Sequence, residues 1–464
     1  MFYLIKLNMA KKKNEFISLD DDFEDDDSFN DEDYEDYVDE EEIFSKKRKR
    51  RASEGDLEQI KKNKHFKNNY FNKLTKNEQK IILEKENEIY KFLNDHTPLR
   101  YNIINSNLNL STKSMILQKI DHFEEMNHEE TEYHKLSKWI NSLSKIPFNN
   151  YSKIILDIKP NKVQYFLMDS YKKLDKTIYG QYKAKNKIMQ ILAQWISNPD
   201  SMGQIIACQG PAGVGKTSLI KNGVSNVLDR PFSFYALGGA NDSSVLEGHS
   251  YTYEGAIFGR LVEMLIETKI MNPIIFFDEL DKISNDEKGN NIENLLIHLT
   301  DPSQNNCIYD KYFNGIEIDF SKALLFFSFN DIYKINPILK DRLTIIKFEG
   351  YTIDEKIIIL KEYLLDEIIK NVGLQKNDII FNEHIFHYII TKYTGNEEGM
   401  RNTKRIFEEL LLQINLIKLL NDDINKQKYK NIHKNLTINY NIIELKFPLL
   451  LNEKIIDDLL KNYN

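Results

Sequence analysis

Three short apolar runs recur in the middle of the chain: Gln204–Cys208, Pro273–Phe277 and Ala323–Phe329. Segments with helical apolar spacing separate them. Runs this short and this apolar fit strands buried on both faces, and their alternation with helices predicts a parallel sheet with crossover helices. Upstream, Ile81, Ile82, Ile89 and Tyr90, then Met115, Ile116, Ile120 and Phe123, fall at helical intervals. Beyond residue 351, Ile357–Leu365 and Ile406–Leu420 carry helical apolar faces, and glycine is confined to turns. The pattern divides the chain into a helical region over 65–165, a large α/β domain over 166–350 and a small, mostly helical domain over 351–464. No internal repeat is visible.

Composition changes this picture only at the amino terminus. The 464 residues carry a net charge of -8, but residues 1–64 hold 20 acidic and 13 basic side chains, while residues 65–464 hold 51 and 50. The body is electrically balanced, which weakens the case for a general nucleic-acid-binding surface. In Asp20–Glu42, 16 of 23 residues are Asp or Glu. So little apolar surface and so much like charge predict a disordered tail over 1–64. The basic run Lys46-Lys47-Arg48-Lys49-Arg50-Arg51 reads as a nuclear import signal or nucleic-acid contact, or equally as a solvated stretch that offsets the acids. No run approaches the ~18 apolar residues of a membrane span. MFYLIKLNMA, broken by Lys6, does not read as a secretory signal. Two cysteines, Cys208 and Cys307, make neither a disulfide framework nor a four-cysteine zinc site, and fit a reducing, intracellular (cytoplasmic) setting. His122, His128 and His134 are too loosely spaced for a metal site.

The chemistry concentrates at the ends of the apolar runs. Gly210-Pro211-Ala212-Gly213-Val214-Gly215-Lys216-Thr217 matches G-x-x-x-x-G-K-[ST], follows the first run and leads through Ser218 into a helix. Glycines let successive N–H groups turn toward phosphate oxygens, and the helix start adds positive potential. Lys216 can then reach the β- and γ-phosphates of ATP, and the Thr217 hydroxyl can ligate Mg²⁺. The second run ends in Asp278-Glu279, a carboxylate for the Mg²⁺ shell beside one that can polarise an attacking water. The third ends in Asn330, an amide able to orient that water. Arginine supplies only 9 of 63 basic residues, so its rigid charged fork marks a site where lysine would not serve. Arg342, after a short helix, and Arg401, opening a helix in the last domain, are the two that fit action on a nucleotide, structural salt bridges being the alternative. Arg260 and Arg405 are not decided by position.

In this order the motifs resemble those of AAA+ ATPases, and among them the ATPase module of Lon-type proteases. Asn272-Pro273, Asp278-Glu279-Leu280-Asp281-Lys282, Leu299-Thr300-Asp301-Pro302-Ser303-Gln304-Asn305, Tyr309-Asp310-Lys311-Tyr312 and Gly350-Tyr351-Thr352 carry the likeness. So do Leu237-Gly238-Gly239, Glu247-Gly248-His249 and Tyr251-Thr252-Tyr253-Glu254-Gly255-Ala256. Lys138-Trp139 through Ile146-Pro147-Phe148 resembles the helix ahead of the Lon ATPase module. The resemblance spans about 135–455. It implies a P-loop AAA+ domain followed by a helical lid. It implies Tyr179 and Gly180 near the adenine, Asn330 as first sensor, Arg342 as an arginine finger reaching a neighbouring subunit, and Arg401 as second sensor. It also implies Tyr253 as an aromatic pore-loop residue gripping polypeptide, within a homo-oligomeric ring, most simply a hexamer.

Two departures qualify the likeness. Glu254 and Phe258 stand where the family places an apolar residue and a proline. No Pro-Ser-Ala-Gly-like segment of the protease occurs, so the expectation is ATP-driven remodelling without peptide hydrolysis, with a separate protease as a candidate partner. A nucleic-acid motor or loader of the same class, or a nucleotide-gated scaffold, are the alternatives.

Overall fold

The computed structural model describes residues 71, 74–94, 98–127, 131–152, 162–198, 205–240, 242–253, 255–284, 286–420 and 447–461. The acidic run, the basic run Lys46–Arg51, His128 and Glu254 lie outside the described residues. The chain divides into two units, Met1–His96 and Thr97–Asn464. In the first, the helix Lys76–Asn94 starts on a reciprocal cap: Glu78 accepts from the Thr75 backbone N–H at 2.9 Å, and Thr75 Oγ1 accepts from the Glu78 N–H.

The second unit is built on five parallel strands: β1 (Ile205–Gln209), β2 (Phe232–Ala236), β3 (Ile274–Asp278), β4 (Leu324–Phe329) and β5 (Thr344–Lys347). Their order is β2-β3-β4-β1-β5, with Ile205 opposite Leu325 and Ile274 opposite Leu324. The three apolar runs are the three inner strands, as the pattern predicts, and the edge strands β2 and β5 complete the sheet. Alternation sorts the side chains. Ala207, Ile275, Phe277, Leu325 and Phe327 face a core shared with the helices Leu110–Glu125, Thr131–Leu143 and Glu287–Thr300. Ile206, Cys208, Phe276, Leu324 and Phe326 face the helices Val163–Thr177 and Tyr182–Ser197. Both faces are covered, as a parallel sheet requires.

A third core belongs to the helices after Thr352. Ile353–Ile359 is capped by Thr352 and Glu355 in a capping box. It packs with Glu383–Tyr393, Arg401–Leu420 and Glu453–Leu459 through Leu360, Ile389, Phe407, Leu410, Ile414 and Ile456. This helical lid meets the α/β layer through Tyr351, which packs against both cores and donates its hydroxyl to Val214 O at 3.0 Å. No described helix is long and apolar enough to cross a membrane.

Candidate active site

A cleft of 620 Å³ opens at the carboxyl ends of β1, β3 and β4, under the lid. Open parallel sheets place ligands at such a position. The loop after β1 reverses through Gly213 and Gly215, with φ of 80° and 90°. Side chains with a Cβ resist that region, so glycine is required there. The following helix runs Lys216–Ser218, widens into a π-helical stretch Leu219–Val224 and returns to α-helix over Ser225–Leu228. A second π-helical stretch, Leu360–Leu364, supplies Tyr363 and Leu364 to the opposite wall.

Lys216 is buried and points into the loop it follows. Its ammonium donates to Asn330 Oδ1 at 2.7 Å, to Pro211 O at 3.3 Å and to Gly210 O. Burial lowers its pKa, and the carboxylate of Asp278 works in the opposite direction. Cys208, beneath the loop, is pushed up to about 12 by burial, so it is an inert core thiol. The three strand ends are cross-linked by polar contacts. Ser328 on β4 donates its hydroxyl to Asp278 Oδ1 on β3. Asp281 Oδ2 accepts from the Asn330 and Asp331 backbone N–H groups at 3.2 and 3.1 Å.

Glu279 leaves the strand direction abruptly. Its φ of 61° and ψ of 44° are left-handed, an uncommon state for a residue with a Cβ and one found at functional sites. Its carboxylate lies against Gly238, just past β2, where a Cβ would meet Glu279 Oε2 at 2.6 Å. Lys282 pairs with Glu279 there.

The lid closes on the phosphate loop by direct backbone contact. Met400 N–H donates to Gly213 O at 3.0 Å, and the helix Arg401–Leu420 begins at this point. Arg401, Lys404 and Arg405 line the cleft. Tyr179 lines it from the other side, edge-on to Tyr363 with centroids 6.5 Å apart. Gly180 (φ 62°) and Gln181 (φ 51°) turn the chain sharply after it.

The structure therefore gathers Tyr179, Ala212, Gly213, Val214, Gly215, Lys216, Thr217, Ser218, Asp278, Glu279, Asn330 and Arg401 around one cavity. Gly210 and Pro211 support the loop from outside the lining. Arg342 and Tyr253 are not in it. Arg342 ends the helix Pro337–Arg342, with its guanidinium 3.0 Å from Asp301 Oδ2 and a bond to Ile297 O. Tyr253 is 71% exposed in a tight turn. Asp281, Tyr351 and Tyr363 join the cleft without having been singled out for it, although Asp281 and Tyr351 stand in the quoted motifs. Arg405, undecided by sequence, joins them.

The donor set suits a nucleotide with a hard cation. The glycine turns make a cradle, the buried ammonium already holds oxygen partners, and Thr217 and Asp278 offer a hydroxyl and a carboxylate. Among the described residues no group of three or more His, Cys, Asp or Glu forms a metal cage. Mg²⁺ needs none, since it binds through one or two carboxylates plus phosphate oxygens.

Residues 206–351 match the AAA family, "ATPase family associated with various cellular activities". The chain contains an AAA+ ATPase module related to that of Lon proteases. A Lon protease homolog of Acanthamoeba polyphaga mimivirus is 36% identical over 348 residues, covering 73% of this chain and 33% of the relative. The Lon protease of Campylobacter jejuni is 33% identical over 388 residues, covering 80% and 47%. A mitochondrial Lon protease homolog of Yarrowia lipolytica is 32% identical over 297 residues, covering 64% and 24%. This AAA+ chain thus spans between about a quarter and a half of the length of the curated relatives it matches. The match to the AAA family falls on all five strands of the sheet, from Ile206 in β1 to Tyr351, which packs against both the sheet and the lid.

Proposed function

We propose that this AAA+ module hydrolyses ATP with Mg²⁺ and uses the energy to remodel or unfold a polypeptide drawn through the pore of a homo-oligomeric ring. The convergence of Lys216, Asp278, Glu279 and Asn330 at three adjacent strand ends carries the reading. Lys216 and the glycine-loop amides hold the phosphates, and Thr217 and Asp278 hold the cation. Mg²⁺ would offset charge on the departing phosphates. Glu279, freed from Lys282, accepts a proton from the attacking water, while Asn330 orients that water. The water oxygen bonds to the γ-phosphorus as the bond to the bridging oxygen breaks, leaving ADP and inorganic phosphate. Tyr179 contacts the adenine, and Arg401 reports the nucleotide to the lid.

Arg342 acts on the site of the neighbouring subunit. Its place outside its own cleft supports that assignment; to act there the guanidinium, 27% exposed, must leave its pairing with Asp301. Tyr253, exposed beside Gly255, grips extended polypeptide without sequence preference.

The test is Glu279→Gln. The full-length variant should retain radiolabelled ATP through gel filtration and release no phosphate. Normal turnover would remove Glu279 as the base, and loss of ATP retention would remove the separation of binding from chemistry.

A further inference from the structure

The turn that carries Tyr253 is held by side chains from outside the sheet. Within the turn, Tyr253 N–H donates to Ser250 O at 3.1 Å, Ala256 N–H to Tyr253 O at 3.3 Å, and His249 N–H to Ile257 O at 3.1 Å. Two further carbonyls of the turn, those of Thr252 and Ala256, are each taken by a lysine. Lys135 Nζ donates to Thr252 O at 3.1 Å, and Lys138 Nζ donates to Ala256 O at 2.9 Å. The two lysines stand three residues apart on the helix Thr131–Leu143, so they share one face.

That helix is itself anchored. Trp139 is fully buried and donates Nε1–H to Tyr312 O at 3.0 Å. Lys119, from the helix Leu110–Glu125, places its ammonium 4.4 Å from the Trp139 ring and 5.0 Å from the Tyr251 ring. On the far side, buried Asp310 accepts from Gly259 N–H at 2.7 Å and from Tyr312 N–H at 2.8 Å. The base of the loop is thus pinned by a carboxylate that takes its donors, and its tip by ammonium groups that take its acceptors.

We propose that Lys135 and Lys138 are positioning residues for the Tyr253 loop. They fix the two carbonyls around the ring, so that movement of the ATPase sheet reaches the polypeptide rather than being absorbed in a slack turn. The helical segment 131–143 is then a working part of the substrate grip. The proposal rests on the reading of Tyr253 as the gripping residue.

The experiment compares the full chain with a Lys135→Met/Lys138→Met double variant, a Lys135→Arg/Lys138→Arg double variant and Tyr253→Ala. Three quantities are read: basal ATP turnover, the concentration of reduced carboxymethylated α-lactalbumin giving half-maximal stimulation, and amide hydrogen exchange over residues 250–257. The methionine pair should keep basal turnover within about twofold. Its half-stimulating concentration should rise at least about tenfold, the scale of one lost charge-assisted hydrogen bond. Exchange in the loop should quicken, and the arginine pair, which keeps a donor, should restore both. A methionine pair indistinguishable from wild type overturns the proposal. So does one that loses basal turnover together with stimulation, because the lysines would then serve the fold as a whole. A defective Tyr253→Ala beside an unaffected methionine pair removes the proposal alone. A normally stimulated Tyr253→Ala removes the grip reading and the proposal with it.

Discussion

Gly399 is where the lid rests on the phosphate loop, and replacing it by alanine isolates that contact. A Cβ on Gly399 would lie 2.0 Å from Ala212 O and 3.0 Å from two loop carbonyl carbons. Its backbone is not left-handed, so the substitution adds little strain of its own. An ordinary carbon–oxygen contact needs about 3.3 Å, so the start of the helix Arg401–Leu420 must withdraw by about 1 Å. Withdrawal breaks the bond from Met400 N–H to Gly213 O, at about 1 kcal/mol. The overpacking that remains costs about 1–3 kcal/mol. A total of about 2–4 kcal/mol against the seated lid corresponds to roughly 30- to 1,000-fold in that equilibrium. Nucleotide affinity should fall by the same factor if the lid must be seated to complete the cleft. Titration of the full chain with a fluorescent ATP analogue measures it, and a thermal melt checks that the sheet is intact. Gly239→Ala, whose Cβ would enter open space, is the control. An affinity within twofold of wild type for Gly399→Ala would refute the reasoning.

Three further outcomes are expected. Lys216→Ala should abolish nucleotide binding in the same titration, because it deletes the buried ammonium that the loop is wound around; unchanged affinity contradicts the loop assignment. Arg342→Ala should leave nucleotide affinity near normal and cut turnover by about 10³ or more, and mixing it with Glu279→Gln subunits should recover part of the activity, which no mixed ring would do if the arginine served its own subunit. Burial pushes the Asp310 carboxyl up to about 6 from an ordinary 3.8, so the folded state holds its proton more tightly than the unfolded chain. Its contribution to stability therefore falls as pH rises between those values, by up to about 3 kcal/mol, and is level above. Urea unfolding of wild type and Asp310→Asn from pH 4 to 7.5 should show their difference shrinking through that window, and a constant difference would contradict the shift.

How much of this was legible in sequence follows from where each feature gets its energy. The phosphate loop is local: eight consecutive residues specify the turn and the charge. The inner strands announce themselves because both faces are buried, and every residue of β4 is inaccessible. The edge strands β2 and β5 do not. Phe234 is 42% exposed and most of Thr344–Lys347 is only partly buried, so polar residues dilute the pattern. The left-handed turn at Glu279 and the two π-helical stretches carry no sequence signal of their own. Nor do the bonds from Lys135 and Lys138, whose partners lie 117 and 118 residues away. A lysine on a solvated helix face looks the same whether or not a distant loop turns its carbonyls toward it. The scarcity of arginine singles out Arg342 and Arg401 but does not separate a nucleotide contact from a structural ion pair. One of them lines the cleft and the other stands tethered outside it.

The central claim is that ATP is split at a boundary completed by a second copy of the chain. The most direct measurement is ATP turnover per subunit as a function of protein concentration, with and without an unfolded protein. The account predicts near-zero turnover at high dilution, a steep rise as copies associate, and a further rise when polypeptide is added. Turnover per subunit that stays constant down to the lowest concentration would contradict it.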